Sequence, residues 1–102
     1  MGKSYPLLEK APKDHASEEF LNFLRANNEV IAEHDCWLVI ANCKYDTPTK
    51  RWFTAFVKDG KHATYAHWDD LFYLLEKYED WAWVKKASDR QTIKRFHIHL
   101  HQ

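Results

Sequence analysis

An α+β fold with a mainly antiparallel sheet and two helices is the architecture this 102-residue chain predicts. Two segments carry apolar residues at helical spacing, and several short runs are rich in Trp, Phe, Val and Ile. Their order is helix, two or three strands, helix, two strands, which departs from strict strand–helix alternation. The helices are expected on one face of the sheet.

Residues 1–13, with three Lys and two Pro, read as an N-terminal arm ahead of a single domain over 14–102. A helix is expected from Asp14 to Asn28, with Asp14 or Ser17 as cap, Glu18 and Glu19 in the first turn, and Phe20, Leu21, Phe23 and Leu24 as its apolar stripe. Strands are expected at Val30–Ala32 and Cys36–Ile40, the second buried and central because it lacks polar residues. A turn at Tyr45–Thr49 leads into a strand from Arg51 to Val57, closed by Asp59-Gly60. The second helix is expected from about Ala66 to Tyr78, with Trp68, Leu71, Leu74, Leu75 and Tyr78 on its inner face. Trp81–Val84, a polar loop over Lys85–Arg90, and a last strand from Thr92 to His101 complete the chain.

The composition narrows function by exclusion. Hydrophobic residues make up 45% of the chain and charged ones 29%, which suits one globular domain rather than a disordered or collagenous one. Fifteen Lys plus Arg balance fifteen Asp plus Glu, so no basic field draws the chain to duplex nucleic acid. There is no apolar run long enough to cross a membrane, and Met1–Pro6 lacks a signal-peptide core, so a cytoplasmic location is expected. Cys36 and Cys43 have no metal or redox spacing and are assigned no chemistry.

The chemistry concentrates at the carboxyl end. In a strand, Arg95, His97, His99 and His101 share one face while Phe96, Ile98 and Leu100 share the other. Three roles compete for the imidazoles: metal ligation, a polar face on an edge strand, and nucleophilic catalysis at phosphorus. The whole row cannot hold one ion, because positions 97 and 101 lie roughly 13 Å apart along a strand. No metal or other cofactor is expected.

The segment Gln91-Thr92-Ile93-Lys94-Arg95-Phe96-His97-Ile98-His99-Leu100 resembles the signature of the histidine triad superfamily of nucleotide hydrolases and transferases. The resemblance extends over about residues 29–101, through the order of an apolar strand, a second strand with a Lys- and His-bearing turn, an amphipathic helix and a strand before the signature. It implies a histidine-triad-like fold, a nucleotide substrate and a homodimer. Counted without a gap from Gln91, the triad positions are Arg95, His97 and His99; counted by histidines, they are His97, His99 and His101. The family's middle histidine is its nucleophile, and the ungapped match favours His97 over His99.

The resemblance further implies a nucleotidyl-histidine intermediate formed at an α-phosphate, with a dinucleoside polyphosphate or nucleoside phosphoramidate as substrate. His97, His99 and His101 are the candidate catalytic residues. Gln91, Thr92, Arg95 and Ser88 are the candidate substrate-binding residues, with Lys94 and Arg90 as further cations near the phosphate. Trp37, Leu38 and Ile40 are nominated to meet the base. The competing function is a non-catalytic nucleotide- or metal-binding module with a degenerate triad.

Overall fold

The structure, a computed structural model, describes residues 10–41, 46–59, 63–86 and 95–102, with backbone only at 83–86. Its elements in chain order are α1 (Glu18–Asn27), β1 (Val30–Glu33), β2 (Trp37–Ala41), β3 (Trp52–Val57), α2 (Tyr65–Lys77), β4 (Ala82–Lys86) and β5 (His97–His101). The strands form one five-stranded sheet in the order β1-β2-β3-β5-β4, and every neighbouring pair is antiparallel. The α+β class expected from the sequence is the one observed.

Both faces of β2 are buried, and that fact organises the molecule. Trp37 and Val39 point to one side, where they join Phe53, Ala55, Val57, Ile98 and Leu100 beneath Leu71 and Leu74 of α2. Leu38 and Ile40 point to the other, where they join Phe56 beneath Phe20, Leu21 and Leu24 of α1. The helices therefore lie on opposite faces, not on one. The physical reason is in the strand: alternate side chains of β2 are all apolar, and each side needs its own cover. Each fully buried Leu or Phe contributes on the order of 1.5–3 kcal/mol, so the α2-side cluster, with ten buried residues against six among those described, is the larger anchor.

Several boundaries move. The first helix starts at Glu18, because Ser17 caps it by accepting the Phe20 N–H at 3.2 Å, while Asp14–Ser17 forms a separate turn. Lys85 and Lys86 belong to β4, not to a loop. The last strand begins at His97, since Arg95 and Phe96 precede the β5 ladder; residues 92–94 lie outside the described residues. Cys43 and most of the expected arm also lie outside them, although Ala11 packs on the α1 cluster.

No described helix is long and apolar enough to cross a membrane.

Candidate functional site

The predicted alternation along β5 places Ile98 and Leu100 in the α2-side core and turns His97, His99 and His101 to the α1 side. The strand is not at an edge: it runs between β3 and β4. The row is therefore part of the sheet's interior, and solvation of an edge strand does not explain it. Opposite it in β3 stand Phe56 for His97, Thr54 for His99 and Trp52 for His101.

Exposure is lowest at His97. His97 is 5% exposed, whereas His99 and His101 are half-buried. The His97 ring lies 5.1 Å from Phe56 and meets the His99 ring edge-on at 5.8 Å. Its Nδ1–H donates to the Arg95 carbonyl at 2.7 Å. A carbonyl only accepts, so Nδ1 carries the proton and Nε2 holds the lone pair. Burial pushes the His97 pKa below the ordinary histidine value, against the smaller upward pull of that hydrogen bond. The ring is thus a neutral imidazole with a fixed tautomer. At the far end, His101 meets Trp52 edge-on at 5.3 Å, and its buried Nδ1 has no hydrogen-bond partner.

Arg95 does not do what the sequence suggested. Its guanidinium, expected to face a phosphate, belongs to a residue 1% exposed. Nε donates to the His15 carbonyl at 2.7 Å, Nη1 to Val57 at 2.8 Å and Nη2 to Ser17 at 2.8 Å. Burial lowers its pKa from the arginine value, opposed by the more distant carboxylates of Glu18, Asp14 and Asp59. The group is spent on backbone acceptors, so we assign it no contact with substrate. Ser88, Gln91 and Thr92, the other expected substrate-binding residues, lie outside the described residues, as do Lys94 and Arg90. Trp37, Leu38 and Ile40 are each 0% exposed and divide between the two cores, which rules them out as one base pocket.

Two histidine–carboxylate pairs stand elsewhere in the fold; a helix-cap role for His67 was expected from its place at the start of the second helix, but neither carboxylate partner was. His34 bonds through Nδ1 to Asp70, whose other carboxylate oxygen accepts the Cys36 N–H at 2.9 Å. With Asp35, these residues bring three ligand atoms within 4.8 Å of one another, the described group best placed to hold a metal ion. His34 and Asp35 stand between β1 and β2, and Asp70 comes from α2. His67 is buried at the start of α2; Nδ1 accepts the Thr64 N–H at 2.8 Å, so Nε2–H donates to Asp59 at 2.6 Å. This is half of a capping box with His in place of Glu or Gln, and Thr-x-x-His ahead of an apolar helix was its available signal. For His34 and Asp70, 36 residues apart, no local signal existed.

Two clefts flank Gln102, one of about 280 Å³ against Tyr78 and Trp81 and one of about 450 Å³ against residues 46–51. Both border the His101 end of β5, not the His97 end.

No known protein family, curated protein or solved structure matches this chain.

Proposed function

We propose that this protein is a nucleotidyl hydrolase or transferase in which His97 attacks an α-phosphorus and carries the nucleotide as a covalent intermediate. The observation that supports this reading is the Nδ1–H bond from His97 to the Arg95 carbonyl, which puts the nucleophilic lone pair on Nε2 of a ring that burial keeps neutral. In the first step the Nε2–P bond forms as the bond from phosphorus to the leaving group breaks. The leaving group departs with its bonding electron pair and takes a proton from a neighbouring donor. His99, edge-on to His97, is the nearest imidazole for that task. Water, or another acceptor, then attacks phosphorus and passes its proton to the donor that protonated the leaving group, the P–N bond breaks, and Nε2 recovers its lone pair.

The substrate class is a dinucleoside polyphosphate or a nucleoside phosphoramidate, and the working form is a cytoplasmic homodimer. The test is a panel of such conjugates in the presence of chelator, with nucleoside monophosphate separated by chromatography. Release from at least one member is the expected result; a folded protein that releases none overturns the enzymatic reading.

One observation favours a second reading. In the ungapped register the first triad position is Arg95, a buried guanidinium whose three nitrogens each donate to a backbone carbonyl and which, unlike histidine, does not give up a proton to a leaving group. A non-catalytic nucleotide- or metal-binding module accounts for that loss. Saturable nucleotide or metal binding without turnover distinguishes it.

A further inference from the structure

We propose that Arg95 is a positioning residue for His97: by tying the turn ahead of α1 to the end of β3, it fixes the carbonyl that selects the His97 tautomer. Its meaning for catalysis rests on the nucleotidyl-transfer reading above, but the positioning itself does not.

One planar fork donates to acceptors in two separate parts of the chain, the turn before α1 (His15 and Ser17) and the last residue of β3 (Val57). A planar group with three directed donors holds one orientation, which a single-headed ammonium cannot do. The same Val57 also donates its N–H to the Phe96 carbonyl at 3.2 Å. Residues 95 and 96 are thus latched to Val57 through both of its backbone groups. Between those latches sits the Arg95 carbonyl, which accepts the His97 Nδ1–H.

The consequence is chemical. An imidazole in water favours the proton on Nε2, and the partner of one ring nitrogen decides which nitrogen carries it. Held by Arg95, the carbonyl keeps the proton on Nδ1 and frees Nε2 for attack. Released, the ring exchanges between tautomers and the nucleophilic nitrogen is protonated for much of the time. The segment preceding α1 is therefore coupled to the electronic state of His97 through one side chain, although it need not touch the ring.

The experiment is nitrogen NMR of the imidazoles in the full chain, with His97 assigned by loss of its signals in His97→Gln. In the wild type the His97 signals should show the Nδ1–H tautomer. In Arg95→Met they should move to a mixture containing Nε2–H, and Arg95→Lys should give the same direction, since lysine keeps the charge without the fork. Circular dichroism confirms that each variant is folded. A wild-type protein with His97 in the Nε2–H form overturns the proposal, which needs no variant to fail. So does a wild-type tautomer signature in either folded variant. Where a substrate is found, kcat should fall about tenfold or more with KM little changed. A tautomer shift in a chain that turns over no substrate upholds the positioning role and removes the nucleotidyl-transfer reading instead.

Discussion

Arg25 in α1 grips Glu33 in β1 with both ends of its fork, Nε to Oε1 at 2.9 Å and Nη2 to Oε2 at 2.7 Å. Lys58, just beyond β3, reaches the same carboxylate at 3.0 Å. A single glutamate on the edge strand thus joins the helix that covers one face to the segment leaving the sheet's third strand. The bidentate geometry separates this pair from an ordinary surface contact.

That arrangement makes Glu33 the site of an acid-sensitive contribution to stability. The Arg25 hydrogen bonds, aided by Lys58, lower its pKa to about 2, with burial opposing them. A carboxylate depressed in the folded state stabilises above its unfolded pKa and loses that contribution as pH falls through the folded one. Glu33→Gln should therefore cost about 1 kcal/mol at pH 7, after discounting for a side chain 31% exposed. The difference from wild type should shrink between roughly pH 4.5 and pH 2. Urea unfolding across that range checks it; a cost unchanged at pH 2 would contradict the ion-pair account.

Ser17 gives a second, local test. Its hydroxyl accepts the Phe20 N–H and donates to the Asp14 carbonyl at 2.7 Å, joining the turn to the first turn of α1. Ser17→Ala should destabilise the fold by about 1 kcal/mol, the ordinary cost of an N-cap. Ser17→Asp should recover most of that loss, because a carboxylate caps as well and suits the positive end of the helix. Equal losses in the two variants would show that the hydroxyl's bond to Asp14, not the cap, matters.

These particulars mark what was legible in the sequence. The phase of β5 was, because Ile98 and Leu100 alternate with histidines and a strand has only two faces. The amphipathic stripes of both helices were legible for the same kind of reason. Which face each helix takes was misread as one shared face, although the all-apolar Trp37–Ala41 already required cover on both sides. The burial of Arg95 had no local signal at all: its acceptors at His15 and Ser17 are 80 and 78 residues away, and only the closed fold brings them together. Sequence reasoning assigned that charge to a phosphate because surface cations are the rule and buried ones are set by tertiary contacts.

Arg95 should accordingly prove costly to remove even where no substrate is present. Arg95→Met takes the guanidinium donors away from the carbonyls of His15, Ser17 and Val57. The Val57 acceptor is buried and the other two partly so, and Ser17 keeps the Leu21 N–H, so the loss should be about 1–2 kcal/mol. Denaturant unfolding at pH 7 measures it. A loss within about 0.5 kcal/mol of zero, the scale of an ordinary surface substitution, would place the guanidinium in solvent and return it to the pool of substrate-binding candidates.

Under the proposed function, the two ways of aligning the triad make opposite predictions for His101. His101 sits at the far end of β5 against Trp52, with a buried Nδ1 lacking a partner, and the His97 Nδ1–H donates to the Arg95 carbonyl. If His97 is the middle position, His97→Ala should remove turnover by orders of magnitude with nucleotide binding little changed, because only interactions made along the reaction path are lost. His101→Ala should then cost less than about tenfold in kcat. If the histidines are counted instead, His99 is the nucleophile and His101 completes the triad, so His101→Ala should be as damaging as His99→Ala. Intact-mass detection of the nucleotidyl adduct separates the cases directly. An adduct that forms in His99→Ala and is absent in His97→Ala assigns the intermediate to His97. The reverse pattern moves it to His99 and strips the fixed tautomer of His97 of its catalytic meaning.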